Sequence, residues 1–192
     1  NYKKEFDFLV KGHQLYFKSK EKRLKKEVEY WLDILPSSNN LLNFNNINKN
    51  IKKPDQEIKP IFIVGVPRSG STLVEKIITS GVQYIESGEE IGVLGTFLKK
   101  KIITNQDINL KVENFQILLY EKYKEKGLIN KKSNYTFTDK TLDNFFYISF
   151  IKKVFPKAKV INCKRDSLSS IMSILQNNLP AVPWAHDLDH IF

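Results

Sequence analysis

The stretch Ile61–Thr79, IFIVGVPRSGSTLVEKIIT, decides how the rest of the chain is read. Four successive apolar residues, Ile61 to Val64, suit a strand covered on both faces, and a turn follows at once through Gly65, Pro67 and Gly70. The chain then enters STLVEKIIT, where Leu73, Val74, Ile77 and Ile78 recur at helical spacing. A strand, a glycine-bearing loop and a helix in that order aim free backbone N–H groups and the positive end of a helix dipole at one point, which suits a phosphate or sulfate. Arg68 lies inside this loop. Its guanidinium can grip a tetrahedral anion through two hydrogen bonds, where a lysine offers only a point charge.

Downstream, the same alternation repeats. Tyr135–Asp139 reads as a second strand, Leu142–Phe155 as a helix with Phe145, Phe146, Ile148, Phe150 and Ile151 on a wide apolar face, and Lys157–Cys163 as a third strand. A further helix follows, burying Leu168, Ile171, Met172 and Leu175. Strands separated by helices of this length predict an α/β fold, a P-loop-like parallel sheet flanked by helices. Ligands of such sheets bind beyond the carboxyl ends of the strands, and Arg68, Lys140 and Arg165 follow the three strands in turn. Between the first helix and the second strand lie VQYIESGEEIGVL and an amphipathic stretch, Ile108–Leu128, with Phe115, Leu118, Leu119 and Tyr123 inward. Val82–Ile85 reads as a short extended piece, and Glu89 and Glu90 as the first turn of a helix.

Upstream, residues 1–35 carry apolar stripes at helical spacing and predict a helical lead-in of two helices, broken near Gly12 and stopped at Pro36. Residues 36–59, rich in Asn, Ser and Lys, read as a linker, and 60–192 as the main domain. The net charge of +10 suits an anionic partner, but the lysines are scattered and accompany many Asn and Ile, as a compositional bias would also produce. Nucleic acid is therefore not the expected partner. Cys163, the only cysteine, excludes an intrachain disulfide, points to a reducing, cytoplasmic setting, and sits in an apolar pattern as buried filler. No apolar run approaches a membrane span in length. The chain opens on Asn1, has its one Met at Met172 and ends in AHDLDHIF, so it is expected to be part of a longer protein, with the end of the domain missing. His186 and His190 stand at i, i+4, but no third ligand cluster accompanies them and no metal is expected.

GVPRSGST has the glycine spacing of a Walker A loop, with Ser71 where that loop carries its lysine. An ordinary nucleoside triphosphatase needs that lysine, so different phosphate chemistry is indicated. PIFIVGVPRSGSTLVEKI, Pro60–Ile77, resembles the 5′-phosphosulfate loop of the PAPS-dependent sulfotransferases, and most closely the protein-tyrosine sulfotransferase-like group that bacteria often fuse to tetratricopeptide repeats. TDKTLDNFFYISFIKKVFPKAKVINCKRDSLSSIMS, Thr138–Ser173, is similar in order and spacing to the segment of that family reaching the 3′-phosphate loop, and FDFLVKGHQLY, from Phe6, is similar to its helical lead-in.

The resemblance implies a role for each matching residue. Arg68, Ser69, Gly70, Ser71 and Thr72 would hold the 5′-phosphosulfate of the donor PAPS, 3′-phosphoadenosine 5′-phosphosulfate, while Arg165 and Ser173 would bind its 3′-phosphate, with PAP as product. Spacing alone does not select Ser173 over Ser169 or Ser170. Lys140 would be the cation that stabilises the leaving group, and the pair Glu89 and Glu90 offers the general base toward an acceptor hydroxyl, on a protein tyrosine, a small molecule or a glycan. The two glutamates stay unresolved. Gly81 and Val82 replace the usual His-Pro, and Leu142 and Ser167 stand where Pro is usual, departures that bear on loop shape more than on chemistry. Two other classes are consistent with the loop: a P-loop kinase or NTPase, and a non-enzymatic anion-binding module.

Overall fold

The computed structural model describes residues 2–38, 57–103 and 112–191. In chain order its elements are α1 (Tyr2–Ser19), α2 (Glu21–Glu29), a π-helical turn (Tyr30–Ile34), α3 (Leu35–Ser37), β1 (Lys59–Val64), α4 (Ser71–Thr79), α5 (Val93–Ile103), α6 (Val112–Glu125), β2 (Thr136–Asp139), a 3-10 helix (Leu142–Tyr147), α7 (Ile148–Val154), β3 (Lys159–Asn162), α8 (Ser167–Leu175), a 3-10 helix (Pro183–His186) and α9 (Leu188–Ile191). The expected α/β class holds, with a parallel sheet flanked by helices and helices at the N-terminus. Of the expected linker, 36–59, residues 39–56 lie outside the described residues, while 36 and 37 belong to α3 and Lys59 opens β1; 108–111 of the expected long helix also lie outside. The chain forms two compact units, one of residues 1–37, 67–69 and 165–192, the other of 38–66 and 70–164.

In the second unit β1 is the central strand, in the order β2-β1-β3, parallel to both neighbours. Ile61, Phe62, Ile63 and Val64 are all buried, as their continuous apolar run requires. Phe62 pairs with Asp139 and Val64 with Asn162, so β2 and β3 end close to the carboxyl end of β1. Fully buried aromatics fill the core. Phe115 meets Phe150 edge to face at 5.3 Å between ring centroids, and Tyr123 packs on Phe137 at 4.6 Å.

Several expected faces are turned. On α4, Leu73 and Ile77 are exposed while Glu75 is completely buried, so the helix shows its apolar stripe outward and a carboxylate inward. Leu118, Phe145 and Leu168 also point to solvent, whereas Leu119, Phe150 and Leu175 are buried as expected. Val82 is fully exposed, and the extended piece shrinks to a single bridge at Glu86, paired with Phe137. Glu89 and Glu90 lie in the loop before α5 rather than in a helical turn. Cys163 is buried, and burial raises its thiol pKa.

In the first unit α1 runs straight through Gly12, and the break comes at Ser19–Lys20. There the Ser19 hydroxyl donates to the Tyr16 carbonyl, an oxygen otherwise available to the helix ladder. Pro36 lies within α3, just after the widened π turn, instead of stopping the helix before it. Leu24, Leu35, Ile174, Leu175 and Ala185 are buried here. His13 of α1 is buried against His186, with their Nδ1 atoms 2.9 Å apart; His13 Nε2 lies 2.9 Å from the Leu175 carbonyl and His186 Nε2 3.2 Å from that of Leu179. No group of three or more metal-ligating side chains occurs among the described residues, and none of their helices is long and apolar enough to cross a membrane.

Candidate active site

The loop after β1 is shaped by left-handed backbone. Arg68 has φ +67° and Gly70 φ +97°, the latter immediately before α4. A side chain at position 70 would be strained at that angle whatever the space around it. Ser69 is buried and its Oγ has no hydrogen-bond partner, an unmet donor inside this loop.

Within the first unit, the structure brings together three residues that the sequence spreads over a hundred positions. Arg68 donates from Nε to Ser173 Oγ at 3.0 Å, and Arg165 donates from Nη1 to the Arg68 carbonyl at 3.2 Å. Helix α8 supports this group through its cap. Asp166 accepts from both the backbone N–H and the hydroxyl of Ser169, at 2.9 and 2.8 Å, and these bonds hold its carboxyl below the usual range. Ser169 is thus committed to the cap and Ser170 is buried, leaving Ser173 on the arginine.

Within the second unit, Lys140 follows the last residue of β2, and its side chain is only 7% exposed. Its ammonium lies 3.2 Å from the Glu90 carboxylate, which is 66% exposed. Glu89 contributes its backbone: its carbonyl accepts from the Lys140 N–H at 2.9 Å, its N–H donates to Glu75 Oε1 at 3.0 Å, and its φ is +48°. The preceding Gly88 lies so close to β2 that an added Cβ would overlap the Thr138 carbonyl. The extended segment before the glutamates is therefore tied flat to the strand that delivers the lysine.

Asp139 anchors the other side of Lys140. It is fully buried and accepts from Tyr123 Oη at 2.9 Å, Asn144 Nδ2 at 2.8 Å, and the Thr141 N–H and hydroxyl at 3.0 and 2.7 Å. Burial raises its pKa and these hydrogen bonds oppose the rise; burial and the neighbouring Asp139 together push the Tyr123 phenol well above its ordinary value. Asp139, Asn144, Thr138 and Glu75 were not among the expected site residues. Asp139 and Asn144 flank Lys140 in TDKTLDN, and Glu75 is a charge set in an apolar helix, the only hints that the sequence offers.

Asp143, on the next turn, is mostly buried; burial first, and then the charge of Asp139, raise its pKa to about 6. An acid held above its unfolded value of about 3.9 binds its proton more tightly in the folded state, so its stabilising effect is full below pH 4 and lost as pH rises to 6 and beyond. Above pH 7 the ionised group costs on the order of 3 kcal/mol. Asp143→Asn is expected to raise the melting midpoint by roughly 5 °C at pH 7.5 and by nothing at pH 4. Parallel melting curves of the two proteins across that range would contradict this assignment.

Comparison with known proteins places this geometry. Residues 60–191 match the profile of the Sulfotransferase family. The chain belongs to that family. It is also 25% identical over 199 aligned positions to an uncharacterized protein of Aquifex aeolicus (strain VF5), covering 94% of this chain and 25% of that relative, so it spans about a quarter of the relative's length. No solved structure matches the chain.

Proposed function

We propose that this sulfotransferase-family chain transfers a sulfuryl group from PAPS to an acceptor hydroxyl, with protein tyrosine as the first acceptor to test and the tyrosine-sulfotransferase-like group as its nearest kin. The observation that carries this reading is the convergence of Arg68, Arg165 and Ser173, which joins the anion loop to the residues expected at a 3′-phosphate. A ligand with anions at both its 5′ and 3′ positions suits that set better than a nucleoside triphosphate, whose loop lysine is replaced by Ser71. The unpartnered Ser69 hydroxyl fits a phosphosulfate oxygen.

In this scheme Arg68, Ser69, Gly70, Ser71 and Thr72 hold the phosphosulfate, while Arg165 and Ser173 hold the 3′-phosphate. The acceptor oxygen attacks sulfur as the bond from sulfur to the bridging phosphate oxygen breaks, and PAP leaves with the electron pair. Lys140 neutralises the charge growing on that bridging oxygen. The hydroxyl proton passes to a carboxylate of the Glu89–Glu90 pair. Glu90 is favoured, because its side chain already meets the Lys140 ammonium while Glu89 is engaged through its main chain. A carboxylate is a weak base toward a phenol of pKa about 10, so proton removal accompanies transfer rather than preceding it.

Thermal melting tests the donor site. PAP at a hundred times its dissociation constant should add about 2.7 kcal/mol, a rise of roughly 5–10 °C, without magnesium. Arg68→Ala should lose most of that rise. A magnesium-dependent shift with ATP and none with PAP would favour a kinase or NTPase instead. No shift with any of these nucleotides removes the support for PAPS.

A further inference from the structure

We infer that Glu75 is a positioning residue for the reaction: from the helix after the anion loop it fixes the backbone of the Glu89–Glu90 turn. This rests on the sulfotransferase reading above. The side chain is completely buried, and no cation lies within salt-bridge range of it among the described residues. A carboxylate in such a place is expensive unless hydrogen bonds compensate it. Oε1 accepts two, from the Glu89 N–H at 3.0 Å and from the Thr138 hydroxyl at 2.6 Å. Thr138 Oγ1 in turn accepts from the Gly88 N–H at 3.2 Å. Oε2 has no partner.

Consecutive N–H groups, those of Gly88 and Glu89, thus end on one small network, and the Glu89 carbonyl is held from the other side by the Lys140 N–H at 2.9 Å. This clamp acts where it is needed. Glu89 sits at φ +48°, a conformation that a residue with a Cβ adopts at a cost and keeps only when its surroundings impose it. From that turn the chain sends the Glu90 carboxylate to the Lys140 ammonium, 3.2 Å away. Loss of the Glu75 acceptor frees the turn to relax toward negative φ, which swings Glu90 off the lysine. A purely apolar residue on α4 could fill the same space but could not accept the Glu89 N–H.

The acceptor atom, not the negative charge, is what this role demands. Glu75→Gln retains a carbonyl oxygen and is expected to keep kcat within a few-fold of wild type, whereas Glu75→Leu is expected to lower kcat by 10-fold or more with the PAP-induced melting shift retained. Backbone hydrogen exchange followed by NMR should show the Glu89 amide protected in the wild-type chain and in Glu75→Gln, and exchanging at least 10-fold faster in Glu75→Leu. Should Glu75→Leu not fold, Thr138→Val removes one arm of the same network and should produce a smaller change of the same kind in both readouts. Wild-type kcat in Glu75→Leu or Thr138→Val, or unaltered Glu89 protection in them, would overturn the inference. Failure of the wild-type chain to turn over PAPS while the Glu89 amide depends on Glu75 would instead overturn the sulfotransferase reading, and the catalytic part of this role with it.

Discussion

Lys140→Ala is expected to lower kcat for sulfuryl transfer by about 10²- to 10³-fold, the usual cost of removing one preorganised donor to developing charge. Three features make the effect large. The side chain is almost entirely withdrawn from water, so its charge is poorly screened. Its backbone is fixed on one side by the Glu89 carbonyl and on the other by the turn that Asp139 organises, so little reorganisation accompanies reaction. Its ammonium already has a carboxylate at 3.2 Å, which orients it. Because the bridging oxygen gains charge only as the S–O bond breaks, the loss should fall on kcat, with KM for PAPS and the PAP-induced melting shift nearly unchanged. Lys140→Arg should rescue poorly, since a planar guanidinium cannot occupy the space of a buried ammonium without displacing neighbours. A Lys140→Ala enzyme within threefold of wild-type kcat would remove this residue from the mechanism.

Asp139→Ala should have the largest effect on stability. The substitution leaves the Tyr123 hydroxyl, the Asn144 amide and the Thr141 N–H without their acceptor, the first two on fully buried residues. Each unsatisfied buried donor costs about 1–3 kcal/mol, so the total is about 3–5 kcal/mol after relaxation, out of a typical 5–15. Melting should fall by roughly 10 °C or more, measurable without any substrate. Asp139→Asn should be milder, because the amide oxygen can still accept. Equal melting midpoints for Asp139→Ala and the wild-type chain would show that the network carries no net stability.

What could be read in the sequence follows from how local each signal is. Four apolar residues followed by glycines made β1 and its loop plain, because a doubly covered strand and a left-handed turn each write themselves into adjacent residues. The orientation of α4 could not be read that way. Leu73 and Ile77 recur at helical spacing, yet both are exposed and Glu75 is the residue fully buried, stabilised by partners 14 and 63 positions away whose presence no helical period reveals. Asp139 looked like the polar exit of a strand and proves to be a buried hub for Tyr123, Thr141 and Asn144. Ser173 bonds Arg68, 105 positions earlier, while Ser169 is engaged in the helix cap, a difference that no local spacing shows. The glutamates missed their predicted helix because Glu89 is held in a left-handed turn by bonds on both sides.

The paired imidazoles of His13 and His186 have an arithmetic of their own. Two neutral rings carry two N–H hydrogens between them, but the three contacts, one to each of two carbonyls and one between the Nδ1 atoms, ask for three. All three can be made only if the pair bears one extra proton. Burial, and then the charge of His13, lower the pKa of His186. The first helix is thus fastened to the segment around Leu175 through two adjoining rings, each of which also reaches a carbonyl oxygen, so a polar pair does there what apolar packing does elsewhere.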